Sequence, residues 1–302
     1  SPTAESPQPV AIPPEVIKNH PALPRFPEWL QHRGWDPDLA EIVGLEFVVD
    51  GRGNPRIRFP FRRHSPDADP CFFQDRAMFS TQSPKWMAPT GQVPCPFEAW
   101  RMDLARRYRT VFICEGLPDV MALLHLDPNL PVIGVPGAGA FKPHWVRSFR
   151  GITSFFLMAD NDKAGEKMRE AVAKLLDLVA KPSDIHQLYV PSPFKDIDDW
   201  RQANPDPFPS QFMSVLDETL ERDGARKQGV LGLPMGPTGR DDRGTTSTGT
   251  GNLHGGRPAI GGHPAPGVGG LRLIAGGIDL VRSEAEDRQI VDVTEHSSLC
   301  DA

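Results

Sequence analysis

The sequence contains no C-x-x-C pair. Its four cysteines, Cys71, Cys95, Cys114 and Cys300, stand singly along 302 residues. Neither a zinc ribbon nor a disulfide framework is therefore expected, and a reducing, cytoplasmic setting is the simpler expectation. Long apolar runs are missing too. Without a stretch of about 18 such residues there is no helical membrane span, and no membrane partner is expected. No secretory leader is recognisable. No G-x-x-x-x-G-K-[ST] occurs, so a fused P-loop helicase has no support. Net positive charge is also lacking, at −6 overall. The average hides a gradient: residues 51–110 hold eleven Lys/Arg against five Asp/Glu, a basic segment suited to a polyanion.

Proline and glycine, by contrast, are abundant. The 33 prolines and 28 glycines make up about a fifth of the chain, high for a compact protein. Residues 1–27 are Pro-rich and aperiodic and read as a flexible lead-in. Seventeen glycines fall between Gly224 and Gly277, and residues 223–302 read as a disordered Gly/Pro-rich tail.

Between these lies foldable sequence. Residues 28–109 predict a small α+β subdomain. Short helices are expected near Trp29 and over 37–43, and strands over 45–49, 56–61, 71–73 and 77–79. A turn is expected at 50–53, a loop over 80–97 and a helix over 97–107. Residues 110–203 alternate strand and helix. Apolar runs at 111–114, 131–135, 154–159 and 185–190 read as buried strands. Helices are expected over 118–126, 141–150 and 163–180, the last with apolar residues at helical spacing. This order predicts an α/β fold with a mainly parallel four-stranded sheet flanked by helices. Residues 204–222 predict a short helical segment.

Three acidic groups fall where predicted strands end, the edge at which open α/β sheets place ligands. Glu115 follows the first strand in Cys114-Glu115-Gly116-Leu117-Pro118-Asp119. Asp160 and Asp162 follow the third in Asp160-Asn161-Asp162-Lys163-Ala164-Gly165. Asp196, Asp198 and Asp199 follow the fourth in Lys195-Asp196-Ile197-Asp198-Asp199-Trp200. Singly, each has an ordinary alternative: Asp162 as a helix cap, Asp119 as a first-turn acid, Asp198 and Asp199 as surface charge. Glu115, ending an apolar strand, has none. Together they suit a hard divalent cation, Mg²⁺ or Mn²⁺, which prefers carboxylate oxygen, water and phosphate.

Glu115-Gly116-x-x-Asp119, followed by Asp160-x-Asp162-x-Ala164-Gly165, resembles the Toprim signature shared by DnaG-type primases, topoisomerases, OLD-family nucleases and RecR-like proteins. The flanking sequence resembles a DnaG-type (bacterial or phage) primase catalytic core in particular. The resembling segments are Trp29-Leu30-x-x-Arg33-Gly34, Arg58-Phe59-Pro60-Phe61, Gln74-Asp75-Arg76-Ala77, Ser83-Pro84-Lys85-Trp86, Val135-Pro136-Gly137-Ala138-Gly139 and Lys195-Asp196-x-Asp198-Asp199-Trp200.

The resemblance implies an enzyme synthesising short RNA primers. Glu115, Asp160 and Asp162 would be catalytic. These three, with Asp119, Asp196 and Asp198, would hold the metal. Arg58, Arg62, Arg63, Arg76, Lys85 and Trp86 would contact template or nucleotide, with Phe79 a further stacking candidate. The implied partners are single-stranded DNA template, ribonucleoside triphosphates and a replicative helicase. Such primases carry a zinc-binding module ahead of this core, which these cysteines do not supply; it would lie upstream of Ser1 or be lacking from the protein. The short helical part after the Toprim region points to a phage or mobile-element type. A Toprim nuclease and a non-catalytic replication-accessory DNA-binding protein are the alternatives. A topoisomerase is disfavoured, because the only tyrosines, Tyr108 and Tyr189, lie beside predicted core elements.

Overall fold

The computed structural model describes residues 13–224, except residue 138, together with strands at 270–274 and 277–281. Residues 1–12 of the expected lead-in, and the rest of the expected tail, lie outside the described residues.

Residues 13–27 are not the flexible lead-in that their prolines suggest. They form α1 (Pro14–Lys18), a 3₁₀ turn (Leu23–Arg25) and the start of α2 (Phe26–His32). Each of these opens with proline in its first two positions, where the missing N–H costs nothing. Ile17, Leu23 and Phe26 pack against the core. Helix α3 (Pro37–Val43) starts at an Asp36 side-chain cap and stops at Gly44, whose φ of 76° is left-handed.

Strands β1 (Glu46–Val49), β2 (Pro55–Phe61), β3 (Phe72–Ala77) and β4 (Trp86–Met87) form one antiparallel sheet in that order. β3 joins two segments that the sequence suggests as separate strands, and β4 lies in the expected loop. Trp35, Phe59, Phe61, Phe72 and Phe97 meet edge to face at centroid distances of 5.0–6.0 Å, each contact adding roughly 0.5–1.5 kcal/mol beyond area burial.

The β1–β2 turn is held by Asp50. Its carboxylate accepts from the backbone of Arg52 and Asn54 and from Arg56 Nε, each at 2.9 Å. Burial pushes this carboxyl up, but the Asn54 and Arg56 hydrogen bonds outweigh it and hold the pKa at about 2, against 3.8 ordinarily. A depressed folded-state pKa contributes stability above the unfolded value that is lost as pH falls toward the folded one. The stability advantage of wild type over Asp50→Asn, read from urea midpoints, should therefore shrink between about pH 4 and about pH 2. An advantage that stayed constant across that range would contradict this account.

A 3₁₀ turn (Ala99–Arg101) and α4 (Met102–Tyr108) lead into the second sheet. Its elements are β5 (Thr110–Cys114), α5 (Leu117–Leu126), β6 (Val132–Gly134), β7 (Ser154–Met158), α6 (Lys163–Leu176) and β8 (Ile185–Leu188). The strands are parallel in the order β6-β5-β7-β8. The segment before β7 is a 3₁₀ helix (Pro143–Phe149) rather than the α-helix expected there. Side chains alternate between two cores. Phe112, Cys114, Phe156 and Met158 face α5 and the antiparallel sheet's core, whereas Val111, Ile113, Phe155 and Leu157 face α4 and α6. Burial on both faces explains the unbroken apolar runs.

Two helices follow, α7 (Ile197–Ala203) and α8 (Phe208–Arg222). The sequence does not predict α7; its acids read there as a strand-end loop. Two strands are described within the expected tail. There β9 (Gly270–Ile274) and β10 (Gly277–Val281) pair antiparallel, consistent with the Leu, Ile and Val content of that stretch. No helix among the described residues is long and apolar enough to cross a membrane.

Candidate active site

β5 lies centrally, with β6 on one side and β7 on the other. The crevice at the carboxyl ends of such strands is the natural ligand site. Glu115 leaves β5 there; its N–H bonds the Met158 carbonyl at 3.0 Å, and its carboxylate accepts the Asp160 N–H at 3.3 Å. Asp162 caps α6, accepting from Ala164 and Gly165 N–H, each at 2.9 Å. A methyl on Gly165 would overlap the Asp160 carbonyl oxygen and come within 2.9 Å of its nitrogen, so only glycine lets the helix abut the site. Asp119, in the first turn of α5, is only 4% exposed and accepts the Asp198 N–H at 3.2 Å. Asp196 caps α7 through the Asp199 N–H at 2.8 Å.

These carboxylates sit close enough to oppose one another's ionisation. Burial and Asp160 push Glu115 up. Burial, Asp196 and Asp160 push Asp119 well up. Burial outweighs the Asp199 hydrogen bond to raise Asp196 as well, and Asp160 adds to it. The N–H groups of Gly165 and Ala164 instead hold Asp162 below the usual range. One cation already answers the cluster: Lys195 Nζ donates to Asp160 at 2.6 Å.

Among the described residues no three Asp, Glu, His or Cys side chains enclose an ion by themselves. The donor set nevertheless fits magnesium or manganese. It is all carboxylate oxygen, its charge is under-compensated, and Mg²⁺ is ordinarily held by one or two carboxylates plus water and phosphate rather than by a protein cage.

A basic group faces the acids from the antiparallel sheet. Arg76, on β3, lies over the rings of Trp86 at 5.5 Å and Trp29 at 5.9 Å. Its Nη1 is buried without a hydrogen-bond partner. Burial and neighbouring Arg33 lower its pKa to about 10, against the pull of Asp198, Asp196 and Asp119. Partial loss of water, with Arg76, Lys195 and Arg33 nearby, lowers Lys85. The Lys85 carbonyl accepts the Ala77 N–H at 2.8 Å, and the Pro84 carbonyl accepts from Arg56 Nη1 at 2.8 Å, so this loop is tied to β2 and β3.

Several expected site residues have other duties. Asp198, expected among the metal ligands, is spent on other side chains. It is 1% exposed and binds the Arg33 guanidinium, Trp35 Nε1 (3.2 Å), Arg201 Nη2 (3.2 Å) and Gln202 Nε2 (2.9 Å). Arg201 also donates to the Arg33 and Gly34 carbonyls at 2.6 and 2.9 Å. This knot clamps α7 onto the α2–α3 turn. Arg58 is committed to Asp75 by two bonds at 2.9 and 3.0 Å, against the Phe73 ring. Arg62 donates to the Val43 and Ala68 carbonyls, and Arg63 contacts Cys71. The structure brings none of these three arginines to the acids. Trp86 packs on Phe59 at 5.3 Å and holds Arg76 rather than standing as a free stacking platform, and Phe79 lies under Arg25 at 4.6 Å.

Sequence reasoning gives no site role to Trp29, Lys195 or Asn161. Asn161 Nδ2 binds the Val190 and Phe194 carbonyls at 2.8 and 3.0 Å and staples the Asp160 loop to the Lys195 loop. Its place between two aspartates is the available signal.

A parallel sheet with carboxylates at this edge is the Toprim arrangement, and residues 112–200 match the Toprim-like family. Together with the antiparallel sheet before it, the chain has the fold of a DnaG-type primase core. It superimposes on a DnaG catalytic core with a TM-score of 0.53 at 15% identity, covering 73% of this chain and 82% of that one. It matches a DnaG primase catalytic domain bound to single-stranded DNA equally well (TM-score 0.53, 14% identity, 72% and 80% covered). In sequence it resembles the Gene 57 protein of Mycobacterium phage D29, at 33% identity over 93 residues. That alignment takes in 31% of this chain and 59% of the relative.

Proposed function

We propose that the protein is a DNA primase-like nucleotidyltransferase that joins ribonucleotides on a single-stranded DNA template. The observation that carries this reading is the unpartnered, buried Arg76 Nη1 set opposite the carboxylate cluster. A lone carboxylate site needs only a metal. A site that also keeps a desolvated guanidinium donor free suits an anion spanning both, and a triphosphate has that charge and reach.

In this reading Glu115, Asp160 and Asp162 present oxygens to Mg²⁺ or Mn²⁺, with Asp119 and Asp196 adding negative potential behind them. When bound, the ion neutralises phosphate charge and favours displacement of pyrophosphate. Arg76 and Lys85 hold the phosphates, and Lys195 gives up Asp160 as the site fills. The Asp198 knot keeps the two halves in register. The DnaG primase catalytic domain of similar fold is bound to single-stranded DNA, which supports a template of that kind.

The test is synthesis itself. With single-stranded template, labelled ribonucleotides and Mg²⁺, wild type should make short RNA. Asp160→Ala should reduce it on the order of 10³-fold, since about 4 kcal/mol of transition-state stabilisation is lost with a metal-facing carboxylate. Template degradation without synthesis would replace this reading with a nuclease. DNA binding with neither activity would replace it with an accessory role.

A further inference from the structure

Cys71 and Cys95 stand 24 residues apart, and nothing in their spacing pairs them. The fold brings them together. Cys71 immediately precedes β3, is half-buried, and has its N–H bonded to the Phe61 carbonyl at 2.9 Å. Cys95 lies in the segment entering the 3₁₀ turn at Ala99 and is 1% exposed. Their sulfurs are 3.2 Å apart and both thiols are free. Arg63 is the charged group that faces the pair. Cys114 offers a contrast: it is fully enclosed in β5, and burial pushes its thiol up.

We propose that Cys71 and Cys95 form an oxidation site, at which a peroxide converts the Cys71 sulfur to a sulfenic acid and Cys95 resolves it as an intramolecular disulfide. The chemistry divides the roles. A hydrogen bond from Cys95 and the Arg63 guanidinium hold the Cys71 thiol down to about 6 despite partial burial. The same contact, with burial, pushes Cys95 up. Of the two, Cys71 is therefore the one that ionises more readily to the thiolate, the nucleophilic form, with the Cys95 sulfur 3.2 Å away to resolve it.

The electrons and atoms balance. The Cys71 thiolate attacks one peroxide oxygen, the O–O bond breaks, and hydroxide leaves with the electron pair and takes up the proton released when Cys71 ionised. The Cys95 sulfur then attacks the sulfenic sulfur and loses its proton to the departing hydroxide. One S–S bond forms and water leaves. Two thiols are oxidised and one peroxide is reduced to two waters. A disulfide needs about 2.05 Å between sulfurs, so the pair must close by only about 1 Å.

The bond would have a structural consequence. Two residues after Cys95, Phe97 bridges to Gly134 of β6 through hydrogen bonds of 2.8 and 3.0 Å. Cys71 leads directly into β3, which carries Arg76. Oxidation would therefore tie the start of the basic strand covalently to the segment that is hydrogen-bonded to the edge of the parallel sheet.

The experiment uses the full chain, reduced, exposed to hydrogen peroxide, quenched with an alkylating reagent and mapped as peptides without reductant. The expected product is an intramolecular crosslink between the Cys71 and Cys95 peptides that dithiothreitol reverses. A Cys95→Ser variant should hold a sulfenic acid at Cys71 that dimedone traps. Near pH 6, iodoacetamide should alkylate Cys71 on the order of tenfold faster than an ordinary thiol. Its larger thiolate fraction outweighs the lower nucleophilicity of a more acidic thiol. Persistence of both thiols after peroxide is consumed would overturn the proposal. So would crosslinks to Cys300 or between molecules in place of this one, or over-oxidation of Cys71 without a link. Should Cys95→Ser fail to fold, the wild-type peptide map decides alone.

Discussion

Replacing Asp198 by alanine is expected to destabilise the metal-free protein by about 3–5 kcal/mol. Its carboxylate is the shared counter-charge of Arg33 and Arg201 in a nearly water-free position. Removing it leaves the Arg201 guanidinium, with a side chain only 3% exposed, without an anion. A buried cation so stranded costs far more than a surface pair ever contributed. The sign is the informative part. A carboxylate kept only for the negative potential of a metal site is a liability without metal, and its removal relieves repulsion. Asp119, pushed well up by burial and by Asp196 and Asp160, is such a case. Asp119→Asn keeps an oxygen able to accept the Asp198 N–H, so the metal-free variant should be at least as stable as wild type. Urea unfolding of the two variants in chelator separates the roles. An Asp198→Ala protein as stable as wild type would return Asp198 to the metal-facing set.

The second large effect is expected from Gly165→Ala. Alanine favours a helix by about 1 kcal/mol over glycine, and an exposed helical glycine would be improved by the change. Here the added methyl runs into the backbone of Asp160. Overpacking against rigid backbone costs roughly 1–3 kcal/mol or more, which cancels or exceeds the helical gain. The larger consequence is positional. Asp160 must move away from the Glu115 carboxylate and from Lys195, both of which it now contacts. A displacement of about 1 Å in a catalytic group is commonly worth on the order of 100-fold in rate. We therefore expect template-dependent synthesis to fall by about that factor while the folded protein persists. Gly51→Ala, where an added methyl meets nothing within 4 Å, should leave synthesis unchanged. Equal rates for Gly165→Ala and wild type would mean that helix α6 can withdraw from Asp160 without loss.

Much of the fold is legible in the sequence because local signals agree with tertiary need. α3 has a side-chain cap at Asp36 and a left-handed glycine at Gly44, both readable from residue type. α8 ends at Arg222, where the expected helical segment ends, and the parallel strands announce themselves as apolar runs because both faces are covered. α7 is not legible, since seven residues with two acids in their first turn and a third just before them resemble a metal loop until the Asp196 cap is seen. The prolines near the amino terminus point to disorder because a proline that opens a helix and one that prevents it look alike in sequence.

The candidate site divides in the same way. Glu115, Asp160 and Asp162 can be named from sequence because their positions follow from strand ends and from a helix start, both local features. So can Arg76 and Lys85, through their resemblance to a known core. Which charges are spent on one another is a different kind of fact. Asp198 pairs with Arg33 across 165 residues, and Arg58, Arg62 and Arg63 are taken up by partners that their own neighbourhood does not reveal. Charge type is written in the sequence, but the free energy of a charge depends on what surrounds it and how much water remains. Residue order by itself determined the parallel sheet and its acidic edge, and marked Arg76 and Lys85 by resemblance. Only the tertiary structure decided which carboxylates stay open to a cation, which arginine keeps an unspent donor, and that Cys71 and Cys95 meet. Those outcomes rest on distances between segments far apart in the chain, and on burial that no single segment controls.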